Sequence, residues 1–244
     1  MTEGRAVAPD RAPRGKRLVM RVICDFDGTI TRRDSTDLVL EALAEPEWRA
    51  LQAEWEAGRL SGAECMRGQV EQIRGSAADL DAVLDGVELD PGFADFVAWA
   101  EARGIGVSVV SNGVDYFIDR ILSRHGLQRL PVLANRLAGE AGAWRLEHPT
   151  GASGCANGSG VCKCAAAAAA AEHGTVIFVG DGRSDFCVAG RAEVLIAKGA
   201  LAANAEATGA PYLPFETFRD VQRTLGVLVG DRPSVVPDIV KAEP

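Results

Sequence analysis

The sequence predicts an α/β protein with a doubly wound parallel sheet and a small all-helical insertion after the first strand. Short apolar runs rich in β-branched residues alternate with segments of helical periodicity, which favours parallel strands covered by helices on both faces. The runs predicted to be buried strands lie at 18–24, 107–110, 175–179 and 194–197. Between the first two runs, a long stretch shows predominantly helical spacing.

The composition is typical of a globular protein and argues against two classes of partner. The chain has 244 residues, of which 47% are hydrophobic and 25% charged, with a net charge of −8 and a pI near 5.0. Such an acidic chain is poorly suited to nucleic acid or an anionic membrane surface. No apolar run approaches the ~20 residues of a transmembrane helix. We therefore expect a cytoplasmic protein that acts on a small molecule, and the sequence does not indicate its oligomeric state.

The helical insertion is predicted over residues 35–88. Apolar residues recur there at helical spacing on both sides of a break at Pro46. Two capping-box patterns predict further helix starts. These patterns are Ser61 with Glu64 and Ser76 with Asp79.

The rest of the chain, 18–34 and 89–232, is predicted to form the α/β core. Asp90 and Pro91 have the residue types of an N-cap and a first helical position. Further elements are predicted as a hairpin of strands 132–137 and 144–147, an alanine-rich helix over 164–172 and a last helix over 215–229. Residues 1–17 and 233–244 are expected to be disordered tails.

Four polar segments carry the candidate chemistry, and three of them follow predicted strands. Ligands of a parallel sheet bind beyond the carboxyl ends of its strands, so these segments are expected to share one edge. Lys163 differs because it opens a helix. The segments are Asp25 to Thr29, Ser111 to Gly113, Lys163, and Gly180 to Asp185.

The two aspartates of the first segment suit the cleavage of a phosphate ester. Asp25 and Asp27 can both reach one site if the chain turns at Gly28. One carboxylate can attack phosphorus and form an aspartyl phosphate. The other can protonate the leaving oxygen and then activate the water that hydrolyses the intermediate.

The remaining segments offer groups that neutralise and bind phosphate. Asp181 can complete an oxygen-rich site for Mg²⁺, which prefers carboxylates, carbonyls and water. Lys163 supplies a point charge and Ser111 a hydroxyl for the phosphoryl oxygens. The predicted partner is therefore a small-molecule phosphate ester, with Mg²⁺ as the cofactor.

In order and spacing, the four segments resemble the motifs of the haloacid dehalogenase superfamily. The family pattern D-x-D-G-T matches Asp25 to Thr29, S-N/G-G matches Ser111 to Gly113, a lone lysine matches Lys163, and G-D-x-x-x-D matches Gly180 to Asp185. The resemblance implies a Rossmann-like core and a C1-type cap over 35–88 that closes over small substrates. It extends to the phosphoserine-phosphatase-like branch and, within it, to the phosphatases of methionine salvage.

The resemblance also implies a role for each matched residue. Asp25 would be the nucleophile and a metal ligand, Asp27 the acid and base that coordinates through its carbonyl, and Asp181 a metal ligand. Asp185 and Thr29 would be supporting residues. The residues implied to bind phosphate are Ser111, Asn112, Gly113 and Lys163.

Three residues, one directly before the insertion and two within it, are candidates for substrate specificity. Asp34 either caps the first helix or contacts the substrate, since it matches a substrate-contacting glutamate of phosphoserine phosphatases. Gln69 matches the arginine with which those enzymes bind the serine carboxylate, and Arg67 lies two residues away. The loss of that guanidinium fork argues against phosphoserine as the substrate.

A cluster of cysteines before the lysine offers a second metal hypothesis. A structural zinc ion could be held by His148, Cys155, Cys162 and Cys164. The C-x-C spacing differs from the usual C-x2-C pair, so free loop cysteines are the alternative.

The sequence leaves three functional interpretations. The first is a phosphomonoester hydrolase acting on a small metabolite. The second is a phosphoryl transferase or mutase of the same fold, and Asp27 favours hydrolysis over it because that residue can activate water. The third, a non-catalytic phosphate-binding protein, is disfavoured because each catalytic position carries a competent residue.

Overall fold

The computed structural model describes residues 19–149 and 158–231. Within these ranges, seven strands form one sheet. The strands are β1 (Met20–Cys24), β2 (Gly106–Val114), β3 (Val132–Ala138), β4 (Arg145–Glu147), β5 (Thr175–Gly180), β6 (Val194–Ala197) and β7 (Leu213–Pro214). The helices are α1 (Ser35–Leu43), α2 (Trp48–Glu56), α3 (Gly62–Val70), α4 (Ala77–Leu84), α5 (Phe93–Ala102), α6 (Asp115–Arg124), α7 (Lys163–Ala171), α8 (Gly199–Thr208) and α9 (Phe218–Leu228).

The sheet has the strand order β4-β3-β2-β1-β5-β6-β7, which places β1 in its interior. β1 pairs in parallel with both β2 and β5, and the antiparallel pair is the β3–β4 hairpin at one edge. The helices of the core cover both faces of the sheet. Because the side chains of a strand alternate between the two faces, neighbouring residues of β1 pack in different clusters. Val22 belongs to one buried cluster with Phe96 and Phe218, whereas Ile23 belongs to a second with Phe178. The predicted doubly wound parallel sheet is confirmed.

The segment between β1 and α5 contains the helices α1 to α4. Pro46 lies in the break between α1 and α2, as predicted. Both predicted capping boxes are present, at the start of α3 with Ser61 and at the start of α4 with Ser76. In each box the serine side chain accepts from the N3 backbone N–H, and the N3 carboxylate accepts from the serine N–H.

Side chains at helix α4 form polar contacts with the core, in addition to the packing of α4 against the inserted helix α1. Arg120 of α6 donates two hydrogen bonds to the carboxylate of Asp85, each of 2.9 Å. Tyr116 Oη donates to Asp81 Oδ1 at 2.8 Å. That residues 35–88 act as a closing cap stays a prediction.

The structure corrects several predicted boundaries. Helix α5 begins at Phe93 rather than at Pro91, because Asp90 Oδ1 accepts from the Gly92 N–H and holds a turn before the helix. Strand β2 continues to Val114 and includes Ser111 to Gly113, with a register irregularity between Val110 and Val114.

Two elements were not predicted from the sequence. Helix α8 is rich in alanine and lacks an apolar stripe, so its spacing gives no helical signal. Strand β7 is two residues long and contains Pro214, which cannot donate to a ladder. The predicted tails, 1–17 and 233–244, lie outside the described residues.

Two further findings concern membranes and cysteines. None of the helices in 19–149 and 158–231 has the length and apolar character needed to span a bilayer. Cys24 and Cys65 are buried free thiols.

Candidate active site

Residues near the carboxyl ends of three neighbouring strands meet at one edge of the sheet. Asp25 follows β1, Asp181 follows β5, and Ser111 lies near the end of β2. Because β1 lies between β2 and β5, the strand order brings these residues together. All three line one cavity of about 460 Å³.

A buried lysine links two of the predicted carboxylates. Lys163, the first residue of α7, is fully buried, and its Nζ lies 2.7 Å from Asp25 Oδ1 and 2.6 Å from Asp185 Oδ1. Burial alone would lower the pKa of Lys163, but the two carboxylates outweigh it and raise that pKa above its ordinary value. Lys163 therefore remains a cation and positions both aspartates.

The carboxylates around Asp25 carry more negative charge than the Lys163 ammonium group balances. Its Oδ1 accepts from the Phe26 N–H at 2.7 Å as well as facing Lys163. Burial and the neighbouring Asp185 raise the pKa of Asp25 to about 8, against the lowering effect of Lys163. A bound cation would favour the ionised carboxylate that a nucleophile needs.

The oxygen ligands for such a cation are close together. In the described residues, the carboxylates of Asp25, Asp181 and Asp185 are the one group of at least three acidic, His or Cys side chains with ligand atoms within 4.8 Å of one another. An all-oxygen set suits Mg²⁺. Asp185 is also engaged by protein donors on both oxygens: Lys163 binds Oδ1, and the N–H groups of Asp181 and Gly182 bind Oδ2 at 3.1 and 3.0 Å. These bonds suit Asp185 to the predicted supporting role.

Asp27 has a different environment from Asp25. Its Oδ1 accepts from the Ser35 N–H at 2.7 Å and from the Ser35 hydroxyl at 2.6 Å. Burial raises the pKa of Asp27 to about 6, although these two hydrogen bonds lower it. The carboxyl group can therefore exchange a proton near neutral pH, as an acid and base must. Ser35 was not predicted, because a serine in the first turn of a helix carries no specific signal.

Two glycines allow the carboxylates to approach the backbone. Gly28 has a φ of +74°, and a Cβ there would lie 2.5 Å from Asp181 Oδ2. At Gly113, a Cβ would lie 2.6 Å from Asp27 Oδ2. The absence of a side chain at both positions keeps the first two predicted motifs close to the acidic groups.

Thr29, Ser111 and Asn112 form hydrogen bonds with other groups of the protein. The Thr29 hydroxyl donates to Asp181 Oδ1, which fits its predicted supporting role. Ser111 Oγ accepts from the Gly113 N–H at 2.9 Å, and the Asn112 side-chain oxygen accepts from the Val161 N–H at 2.9 Å. Asn112 thereby ties β2 to the segment that leads into Lys163.

The opposite wall of the cavity comes from the inserted helices. Asp34 lines the cavity and also caps α1 by accepting from the Asp37 N–H at 3.0 Å, so the two roles considered for it are compatible. Gln69 is buried and lines the cavity, whereas Arg67 is exposed on α3 and is not among the lining residues. Trp55 also lines the cavity, and the Arg183 guanidinium lies over its ring, 5.0 Å from the centroid.

The pattern of the four motifs is matched by a family model over residues 22–190, described as haloacid dehalogenase-like hydrolase. This match covers more than half of the chain. The chain belongs to the haloacid dehalogenase-like hydrolase family.

Curated relatives place the chain more narrowly within the haloacid dehalogenase-like hydrolases. It is 32% identical over 216 residues to a 2-hydroxy-3-keto-5-methylthiopentenyl-1-phosphate phosphatase of Brevibacillus brevis, covering 86% of this chain and 96% of the relative. It is 33% identical to the protein of that name from Geobacillus thermodenitrificans, over 84% of this chain and 94% of the relative. The chain is a phosphatase of this family, as predicted.

Solved structures agree on the fold of this haloacid dehalogenase-like hydrolase. A phospho-aspartyl intermediate analogue of phosphoserine phosphatase has a TM-score of 0.59 and 21% identity, covering 77% of this chain and 91% of that one. Phosphoserine phosphatase from T. onnurineus has a TM-score of 0.60 and 16% identity, covering 89% and 96%. The chain therefore shares the fold of these phosphoserine phosphatases.

The described residues do not assemble the zinc site that the cysteine cluster suggested. His148 Nδ1 lies 2.8 Å from Asn135 Oδ1, and Cys162 Sγ lies 3.2 Å from Cys164 Sγ. In the part of the chain that the structure describes, these three side chains do not form a group with ligand atoms within 4.8 Å. Cys155 lies outside the described residues.

Proposed function

We propose that this phosphatase hydrolyses the phosphate monoester of a small metabolite through a covalent phosphate on Asp25, with Mg²⁺ as cofactor. The observation that carries the proposal is the arrangement of two aspartates, Asp25 buried and Asp27 half-buried, with different partners in one cavity. Asp25 is held by Lys163 at 2.7 Å, and Asp27 by Ser35 at 2.6 and 2.7 Å.

The first step uses Asp25 as the nucleophile. One of its oxygens attacks phosphorus, the bond from phosphorus to the ester oxygen breaks, and the leaving oxygen takes a proton from the Asp27 carboxyl. Phe26 N–H and Lys163 both bind Oδ1 of Asp25, which fixes the orientation of the carboxylate. Such orientation lowers the barrier because the attacking group is already placed.

The second step releases phosphate and restores the enzyme. Asp27, now ionised, takes a proton from a water molecule, whose oxygen attacks phosphorus while the bond to Asp25 breaks. The pKa of Asp27, raised to about 6, permits both proton transfers near neutral pH. Asp27 would activate a second hydroxyl in the same way, so hydrolysis requires that water rather than an acceptor alcohol reaches the intermediate.

The residues that would hold Mg²⁺ are Asp25 and Asp181, with Asp185 supporting them. The ion would neutralise charge on the phosphoryl group as that charge develops. Burial, together with the excess of carboxylates over cations around Lys163, raises the pKa values of both Asp25 and Asp181, and a bound cation would offset both effects.

For the substrate, we propose the 2-hydroxy-3-keto-5-methylthiopentenyl-1-phosphate named for the curated relatives. The cavity wall supports a substrate with an apolar portion, because Leu60, Met66 and Phe186 all line it. Gln69 in place of an arginine disfavours phosphoserine. The test compares kcat/KM for these two phosphates, and equal or better turnover of phosphoserine would contradict the substrate assignment.

The chemistry is tested with Asp25→Asn. The amide is a poor nucleophile, so turnover of p-nitrophenyl phosphate should fall by several orders of magnitude. Asp95→Asn is a matched control because Asp95 is exposed on α5, and it should retain activity. Mass spectrometry of rapidly quenched wild type should locate the phosphate on Asp25. Substantial activity in pure Asp25→Asn would refute the assignment.

A further inference from the structure

A chain of three polar side chains runs along the cavity wall from α2 to α3. Gln52 Nε2 donates to Glu56 Oε1 at 3.0 Å, one helical turn away on α2. Gln69 Nε2 then donates to Gln52 Oε1, also at 3.0 Å. Both glutamines line the cavity, and Gln69 is only 3% exposed.

The charge of Glu56 determines which way both amides face. An ionised carboxylate can only accept hydrogen bonds, so Gln52 must turn its NH₂ group toward Glu56. Its oxygen then faces Gln69, which must in turn donate through its own NH₂ group. The carbonyl oxygen of Gln69 therefore takes no part in this chain of hydrogen bonds.

That oxygen is available to a ligand. None of the hydrogen bonds between described residues uses Gln69 Oε1, and this atom is not among their buried atoms without a partner. Since Gln69 lines the cavity and is otherwise buried, the accessible part of its amide faces the cavity.

We propose that Gln69 Oε1 is a specificity-determining acceptor for a hydroxyl or N–H group on the organic part of the substrate, which the 2-hydroxyl of the proposed ester would supply. This inference rests on the proposed function. The site would favour substrates with such a donor and disfavour substrates with a carboxylate at the same place, because two acceptors repel each other. Glu56 acts through Gln52 and Gln69, and is therefore a positioning residue.

Two other carboxylates on the same wall provide a competing explanation. Asp34 and Asp37 also line the cavity and would repel a substrate carboxylate without help from Gln69. Their repulsion predicts discrimination against the carboxylate that persists in Gln69→Leu. The hydrogen bond to Gln69 predicts a preference for the hydroxyl over the methyl group that is lost in Gln69→Leu, so this variant separates the two explanations.

The experiment measures kcat and KM for three series of phosphate monoesters with chains of two to five carbons. The chains end in a hydroxyl, a methyl or a carboxylate group, and the range of lengths covers the unknown reach to Gln69. At one length, wild type should hydrolyse the hydroxyl ester with a kcat/KM about tenfold above that of the methyl ester, which corresponds to one hydrogen bond. Gln69→Leu should remove this preference.

A surface variant tests the role of the Glu56 charge. Glu56→Gln can either donate or accept, so the amides of Gln52 and Gln69 are free to turn. We expect KM for the preferred hydroxyl ester to rise about twofold, the size of one exposed pair on a helix, with kcat unchanged. Glu54→Gln is the matched control because Glu54 is on the same helix and pairs with Arg59 instead. It should leave both constants as in wild type.

Different results would contradict the role of Gln69, the role of Glu56 or the proposed function. A hydroxyl preference that survives Gln69→Leu, or that is absent from wild type at every chain length, overturns the inference about Gln69. Equal effects of Glu56→Gln and Glu54→Gln overturn the role of Glu56. If wild type hydrolyses none of the esters, nor p-nitrophenyl phosphate, the proposed function itself fails.

Discussion

Replacing Asp185 with asparagine should destabilise the protein as well as impair catalysis. Asp185 is fully buried and receives three donors: Lys163 Nζ at 2.6 Å and the N–H groups of Asp181 and Gly182 at 3.1 and 3.0 Å. An asparagine has one accepting oxygen in place of two. Its NH₂ group must therefore face either the lysine or the two backbone N–H groups.

The size of the effect follows from the burial of the pair. Removing one partner of a buried ion pair costs about 3–5 kcal/mol, because the remaining charge loses its compensation. Lys163 keeps Asp25 as a second partner at 2.7 Å. We therefore expect the free energy of unfolding to fall by about 3 kcal/mol, at the lower end of that range. Turnover should also fall, because Lys163 loses one of the two carboxylates that position it and keeps only Asp25 and the Ser184 hydroxyl.

The assay is urea unfolding of wild type and Asp185→Asn at pH 7, with kcat measured on the same preparations. Glu88→Gln is the control, since it removes an ion pair with Arg32 whose side chains are 73% and 65% exposed. That variant should lose less than about 1 kcal/mol. An Asp185→Asn protein as stable as Glu88→Gln would refute the view that Asp185 compensates a buried charge.

Three further predictions concern the proton donor and the cavity wall. Asp27→Asn should still be phosphorylated by p-nitrophenyl phosphate, whose leaving group needs no acid, and the adduct on Asp25 should persist because no base activates water; mass spectrometry after a rapid quench would show an adduct elsewhere if the roles are wrong. Ser35→Ala removes a hydrogen bond that lowers the pKa of Asp27, so that pKa should rise by roughly one unit. The loss of activity with increasing pH, measured with an alkyl phosphate, should then move to higher pH. A pH profile that is unchanged or moves to lower pH would contradict the role of Ser35. Gln69→Arg should raise kcat/KM for phosphoserine relative to p-nitrophenyl phosphate, because a guanidinium can bind the carboxylate; equal changes for both esters would mean that residue 69 does not face the substrate.

Much of the fold could be predicted because local signals and the global pattern agree. The capping boxes at Ser61 and Ser76 mark the starts of α3 and α4 within the sequence itself. The apolar runs of β1 and β5 are buried on both faces of the sheet, so their composition is a direct consequence of their position. By contrast, α8 carries no apolar stripe, and its helical structure depends on tertiary context that spacing does not encode.

The candidate site could be predicted only at the level of its motifs. Asp25, Asp27 and Asp181 stand out because polar residues follow apolar runs at fixed spacings. Ser35 and Glu56 do not, because their contributions depend on which atoms they meet after folding. A serine in a first helical turn and a glutamate on a helix surface have many ordinary explanations.

The interior position of β1 has a consequence for the order in which the protein can be made. Asp25 leaves the ribosome early, but its strand pairs with 106–109 and with 175–179, and its ion-pair partner Lys163 follows much later in the chain. At ~5–20 residues per second, the nascent nucleophile waits roughly 10–30 s for Asp185 to be synthesised. Before Lys163 and β5 are made, the carboxylate has no cation and one edge of β1 has no parallel neighbour. The catalytic centre can therefore assemble only after β5 and Asp185 have been synthesised, and chains truncated before β5 should depend on chaperones to remain in solution.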